Sequence, residues 1–270
     1  MWNKALVKKI LARVFIWSVL FIMYLPIFLL VLFSFSENIL ISFSDFKFGF
    51  GLYVKMFQNE DIGIAVFNTL VIAAVSGLIA TVMGTVACMG IMAMKRRTRN
   101  TIMSLNQVPI VNADIVTAFA VMLFFVTLGL TSAGWFKLIL AHTLISVPFV
   151  VLVVLPRFRQ LDANLFEAGQ DLGASPLRSL FMVVIPQLIP AMVSGFFLAF
   201  TLSLDDFIVT LYNSDGVKTI STLVYGATKK AVPPEFRALS ATFFFVVLAI
   251  LLVYNWRSAK NKKIRGENKK

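Results

Sequence analysis

Apolar residues in this chain come in long unbroken runs separated by short polar segments. Neither the two-residue alternation of a half-buried strand nor the one-sided spacing of a surface helix dominates. Six runs approach or exceed the roughly 20 residues that a helix needs to cross a bilayer core of about 30 Å. They cover 14–36, 64–93, 108–130, 134–156, 182–204 and 238–256. The last is short for a span. The second is longer than a span needs, which predicts tilt or projection beyond the lipid. The first run, Val14 to Phe35, exceeds the apolar core of a signal peptide, and no small-x-small site follows it. It is read as a retained helix. The expected fold class is therefore an all-α integral membrane protein with six transmembrane helices, formed by residues 1–270 as a single chain.

Composition agrees with this reading. Hydrophobic residues make up 59% of the chain and charged residues only 14%, whereas soluble domains carry about 25% charged residues. The charge that exists is unevenly placed. Segments 1–13, 94–101, 157–181 and 257–270 hold most of the 25 Lys and Arg residues, but only Asp162, Glu167, Asp171 and Glu267 of the 13 acids. The positive-inside rule puts those segments, and both termini, in the cytoplasm. The net charge of +12 is thus a topology signal in short loops beside spans. No nucleic-acid partner is expected.

Several chemistries are excluded. No Gly-Lys dipeptide occurs, so there is no phosphate-binding P-loop. One histidine, His142, and one cysteine, Cys88, cannot supply a usual metal ligand set. His142, near Thr143 and Ser146, reads as an interhelical hydrogen-bonding residue, and Cys88 as a small packing residue. No serine has a recognisable base partner. The expectation is a chain that is not an enzyme.

The segment 157–181 interrupts two spans with a different pattern. Asp162 is placed to cap a short helix. Leu165, Phe166 and Leu172, with Ala168 and Gly169 between them, form an apolar-to-small face, while Glu167, Gln170 and Asp171 leave the other face polar. Gly173 suits a left-handed terminus, and Ser175-Pro176 opens a second helix. An interfacial helix resting on headgroups would usually be basic. This one is acidic, which favours insertion into a groove on another protein.

Here the chain resembles a known family. Glu167-Ala168-Gly169, three residues, Gly173, nine residues, then Val183-Val184-Ile185-Pro186 is similar to the EAA loop, E-A-A-x3-G-x9-I-x-L-P, of ABC importer permeases. It departs from that pattern at Gly169, Val183 and Ile185. Asn112-Ala113-Asp114-Ile115-Val116, Phe200-Thr201-Leu202-Ser203-Leu204-Asp205-Asp206 and Val232-Pro233-Pro234-Glu235 resemble the spermidine/putrescine permeases, and the likeness extends over about 60–256.

The resemblance implies a type I ABC importer transmembrane domain over 60–256, a cytoplasmic EAA coupling loop at 157–181 and a basic cytoplasmic tail at 257–270. Glu167, Ala168, Gly169, Asp171, Leu172 and Gly173 would engage the ATPase. The implied partners are two ATP-binding subunits, a second homologous permease and an extracytoplasmic substrate-binding protein, with the lipid bilayer around them. No cofactor would bind this chain; ATP and Mg would be used by the partner ATPase. The implied location is the cytoplasmic membrane, and the implied substrate a polyamine. The same machine for an amino acid, iron or sulfate is the alternative.

The acids in and near the spans bear on that choice. Asp114 follows Pro109, which is expected to break a helix, so the segment reads as a kinked or re-entrant wall of a cavity. Asp114 then either contacts substrate or caps the new half-helix. Asp205 and Asp206 fall about 27 Å along the helix from Pro186, at the outer end of the fifth span. They border a cation path or pair with Lys137. Tyr225 and Glu235 in the outer loop are further pathway candidates, because aromatic faces attract ammonium groups.

Overall fold

A computed structural model describes residues 4–36, 46–130, 132–162, 164–229, 232–249 and 252. The described chain is helical, with one isolated antiparallel β-bridge between Ser36 and Phe48. In order the helices are α1 (Lys4–Ser34), α2 (Gly51–Gln58), α3 (Glu60–Ala93), α4 (Arg96–Val111), α5 (Asp114–Thr127), α6 (Gly134–Arg159), α7 (Asn164–Asp171) and α8 (Pro176–Ser179). A π-helical turn (Leu180–Val184) leads into α9 (Ile185–Asp205), followed by α10 (Ile208–Asn213), α11 (Ile220–Thr228) and α12 over residues 235–249.

Four of these helical stretches are long and apolar enough to cross a membrane: Leu11–Ser34, Glu60–Ala93, Gly134–Arg159 and Pro176–Asp205. The expected third span, 108–130, is instead two helices. α4 and α5 form a broken pair bent by 107°, giving up to five crossings among the described residues. For the expected sixth span, 238–256, helix is described to residue 249; residues 250, 251 and 253–256 lie outside the described residues.

The break is displaced from its predicted position. α4 runs through Pro109, and the chain turns at Asn112 and Ala113, both with extended ψ values of 152° and 134°. Proline removes one amide donor but leaves the following residues free to stay helical. Asn112 still donates its amide to Val108 O at 3.1 Å, and its Nδ2 reaches Thr117 Oγ1 at 3.3 Å. The side chain thereby bridges the corner from α4 into α5.

The chain divides into two units: Met1–Ile62 with Ala227–Lys270, and Gly63–Gly226. In the first, Ser34 Oγ hydrogen-bonds Tyr53 Oη at 2.8 Å. Phe35 stacks on Phe48 at 5.5 Å between centroids and meets Phe50 edge-on at 5.7 Å. Leu52 and Met56 give α2 a buried side, and Thr242 of α12 reaches Met56 Sδ at 3.9 Å.

In the second unit, Ala80, Cys88 and Ile91 of α3 pack with Val150, Val151, Val154 and Leu155 of α6 and Ala199 of α9. Cys88 is a packing residue, as expected. Small residues allow these helices to approach. A Cβ on Gly77 would meet Phe196 Cε2 at 3.3 Å, and one on Gly84 would fall 2.6 Å from Val150 Cγ1. Gly90, by contrast, has nothing within 4 Å. Two hydroxyls of α3 are satisfied locally: Thr81 and Thr85 donate to the carbonyls four residues back, both at 2.7 Å. That back-bonding lets a polar side chain sit in an apolar helix without an orphaned donor.

Candidate functional site

A cavity of about 370 Å³ opens in the second unit where α4, α5, α6, α9 and α10 converge. Three carboxylates line it: Asp114, the first residue of α5; Asp205, the last of α9; and Asp206 beside it. Among the described residues no Lys or Arg lines it. Phe149, Leu198, Leu202 and Phe207 supply apolar wall between the acids.

The three carboxylates differ in their surroundings. Asp114 and Asp205 are exposed, and among the described residues no hydrogen bond or ion pair reaches either carboxylate. The expected capping role therefore does not belong to Asp114; Ala113 holds the N-cap position of α5, without a side-chain bond. Asp206 is the capping acid. Its Oδ1 accepts from Val209 N at 3.2 Å, and its Oδ2 accepts from Thr210 N at 2.8 Å. Free amides at a helix start are the usual partners of such a carboxylate.

Lys137 is not the partner of Asp205 or Asp206. Its ammonium, almost fully buried, pairs with Asp215 at 3.0 Å. Asp215 and Gly216 both have positive φ, 42° and 84°, in the turn after α10, and that turn delivers the carboxylate to α6. Burial of an ammonium is costly unless it is paired, and Asp215 supplies the pairing.

Beneath the cavity lies a buried polar relay. Ser76 of α3 reaches Ser203 of α9 at 3.3 Å, and Ser203 reaches His142 Nδ1 at 2.8 Å. His142 Nε2 is 3.0 Å from Thr210 Oγ1, which is 3.1 Å from Asp206 Oδ2. His142 thus joins helices as its sequence context predicted. Its link to Asp206 was not foreseen; the only hint is a histidine and a hydroxyl in runs that are otherwise apolar. Of the other candidates, Tyr225 packs on Phe207 with ring centroids 5.4 Å apart, next to the cavity lining. Glu235 belongs to the other unit and accepts from Asn59 Nδ2 at 3.4 Å. Among the described residues no group of His, Cys, Asp and Glu is arranged to hold a metal.

The interrupting segment folds as its residues dictate. Asp162 Oδ1 accepts from Asn164 N at 3.0 Å. Gly173 takes φ +86°, and Ala174 N returns to Gly169 O at 3.2 Å, closing α7. Ser175 caps α8 through Arg178 N at 3.4 Å. Gly169 is buried against α8. A Cβ there would fall inside contact of Ser179 Oγ, 3.1 Å from Ser179 Cβ and 3.3 Å from Val183 Cγ2. Ser179 in turn donates to Phe166 O at 2.8 Å. The glycine at this position therefore makes room for the serine. Leu172 does not join the inward face as expected; it follows the last turn of α7 and is 90% exposed. Glu167, Ala168 and Asp171 are also exposed, next to exposed Leu177, Phe181 and Met182.

A family model described as "Binding-protein-dependent transport system inner membrane component" matches residues 80–265. The chain is 31% identical over 253 residues to the putrescine transport system permease protein PotI of Escherichia coli (strain K12), covering 90% of this chain and 89% of that one. It is 29% identical over 252 residues to the spermidine/putrescine transport system permease protein PotC of Haemophilus influenzae, covering 93% and 97%. In fold it matches a bacterial ABC transporter involved in import of the acidic polysaccharide alginate, with a TM-score of 0.67 at 20% identity, over 94% of this chain and 95% of that chain.

Proposed function

This chain belongs to the family of binding-protein-dependent transport system inner membrane components, and on that premise we propose that it is the permease subunit of an ATP-driven importer of polyamines. It is a transport subunit and not an enzyme. The observation that carries the cargo is the cavity lined by Asp114, Asp205 and Asp206 and by apolar wall, with no Lys or Arg among the described residues that line it. A polyamine is a set of ammonium groups joined by hydrocarbon, so its charges need carboxylates and its carbons need apolar surface. An oxyanion would need cationic or amide donors, and this lining opposes it electrostatically. Tyr225, packed on Phe207 of the lining, belongs to the outer approach in this reading.

The mechanism follows from two separated features. The exposed acidic edge and apolar tip of α7, with Glu167, Ala168, Asp171 and Leu172, dock in a groove on a separate ATP-hydrolysing subunit. Gly169 and Gly173 shape the hairpin that holds that helix. ATP and Mg act only in the partner, where ATP binding draws two such subunits together. The pull passes from α7 through α8 and the π-turn into α9, whose far end carries Asp205 beside Asp206. Motion of α9 against α5 and α6 opens the cavity alternately to the two sides. A second permease completes the path, an extracytoplasmic binding protein delivers the substrate, and both termini and the 157–181 loop lie in the cytoplasm of a multi-pass membrane protein.

Tracer uptake by the reconstituted complex tests this reading. Labelled putrescine should enter only with ATP, and excess spermidine should compete where arginine and sulfate do not. Uptake of sulfate or an amino acid with no polyamine competition would overturn the cargo assignment.

A further inference from the structure

The relay beneath the cavity has a direction. Asp206 Oδ2 can only accept, and Thr210 Oγ1 has one proton to give. That hydroxyl lies 3.0 Å from His142 Nε2, 3.1 Å from Asp206 Oδ2 and 3.3 Å from Asp206 O. If His142 carried its proton on Nδ1, Nε2 would claim the Thr210 proton. The Thr210 oxygen would then face the carboxylate oxygen with no hydrogen between them. With the proton on Nε2, the donors run in one direction along the chain of side chains. Ser76 donates to Ser203, Ser203 donates to Nδ1, Nε2–H donates to Thr210, and Thr210 donates to Asp206. All five residues are buried or half-buried, and His142 is 4% exposed. Nε2 lies 3.9 Å from Asp206 Oδ2, beyond hydrogen-bond reach, so the histidine acts through the threonine. Among the described residues, Asp206 is the charged side chain that the relay itself reaches; Asp205 beside it lines the cavity, and Lys137, on the same helix as His142, is committed to Asp215.

We propose that His142 is a positioning residue for transport. With a proton on Nε2, and anchored by Ser203, it turns the Thr210 hydroxyl onto Asp206 and fixes the carboxylate that receives one ammonium group of the substrate. Of the three acids, Asp114 and Asp205 are free to move, while Asp206 is held by two amides and a hydroxyl. A fixed carboxylate binds a cation without first losing conformational freedom, so its contribution to affinity is larger than that of an equal charge on a mobile chain. The inference rests on the cavity being the polyamine path.

The test is putrescine uptake by the full reconstituted complex, with KM and Vmax measured separately and membrane levels matched. His142→Gln keeps a donor near the Nε2 position and should hold KM within about twofold of wild type, whereas His142→Leu and the near-isosteric Thr210→Val should raise KM roughly five- to tenfold with Vmax little changed. Thr210→Ser, which keeps the hydroxyl, should restore the wild-type KM. In an Asp206→Asn background, Thr210→Val should add nothing. Wild-type KM in Thr210→Val, or a His142→Gln variant as impaired as His142→Leu, overturns the relay. If Asp206→Asn itself transports with wild-type KM, the failure lies instead in the cavity reading. Because Thr210→Val changes no volume to speak of, a folding defect confined to His142→Leu leaves the decision with Thr210.

Discussion

Replacing Gly169 by alanine adds one methyl group at the most crowded point of the interrupting hairpin. That methyl would overlap Ser179 Oγ and press on Ser179 Cβ and Val183 Cγ2, at 3.1 and 3.3 Å. Overpacking of this kind costs about 1–3 kcal/mol. The alternative is for Ser179 to rotate away and lose its bond to Phe166 O at 2.8 Å. Ser179 is fully buried, so an unpaired hydroxyl there costs a similar ~1–3 kcal/mol. Alanine recovers up to ~1 kcal/mol of helix propensity over glycine. The net penalty is therefore about 1–2 kcal/mol, roughly a tenfold loss in the population of the docked hairpin. Limited trypsin cleavage at the exposed Arg178 should quicken by about that factor, and ATP-driven uptake should fall with it. Gly169→Ala combined with Ser179→Ala removes the overlapping oxygen and should lie nearer wild type than Gly169→Ala alone. Wild-type cleavage and uptake in Gly169→Ala, or strictly additive effects in the double variant, would refute the packing argument.

Asp114→Asn and Asp205→Asn should raise the KM for polyamine uptake without changing thermal stability, because no protein group bonds either carboxylate among the described residues; a loss of stability in either would show a structural role. Asp206→Ala should lower both, with a cap loss of about 1 kcal/mol readable as a lower melting temperature in detergent. Asp215→Asn should strand the Lys137 ammonium and cost about 2 kcal/mol, less than the ~3–5 of a fully buried broken pair because the Asp215 side chain is 23% exposed. Lys137→Met should be milder, and equal melting temperatures for the two would contradict this. Cysteines placed at exposed Arg97 and Gln58, with native Cys88 buried, should label with an impermeant maleimide only from inside and only from outside the cell, respectively; the reverse pattern would invert the orientation.

Sequence made some of these features plain and hid others, for a physical reason that separates them. The hairpin at 162–176 was legible because its signals are local. A cap, a left-handed glycine and a Ser-Pro helix start each act within a few residues, and Asp162, Gly173 and Ser175 do what such residues do. The acids were legible as candidates because a carboxylate in an apolar run is expensive. Which acid caps and which stands free was not, since Asp206 finds its amides only after α9 ends and α10 begins. Lys137 was offered as the alternative partner of Asp205 and Asp206, whereas Asp215 reaches it through an Asp-Gly turn with positive φ; that dipeptide marks a turn but not the helix its carboxylate will meet. The relay lay further out of sight: Ser76, His142, Ser203 and Thr210 come from four helices, and only packing brings them together. Proline was read as the site of the break, whereas two extended residues at Asn112 and Ala113 make it.

That corner also says where water must be. α4 ends and α5 begins at a bend of 107°, and together the two are long and apolar enough for a broken span or a re-entrant loop. A helix start leaves its first amides without intrahelical partners, and no side chain caps α5. Hydrocarbon cannot satisfy such groups. The amides of Asp114 and Ile115 therefore demand a hydrated space whether or not substrate is present. The exposed carboxylate of Asp114 faces the same space that these amides require to be hydrated. Amide exchange at Asp114 and Ile115 faster than at mid-α6 residues such as Val150 would register that standing water.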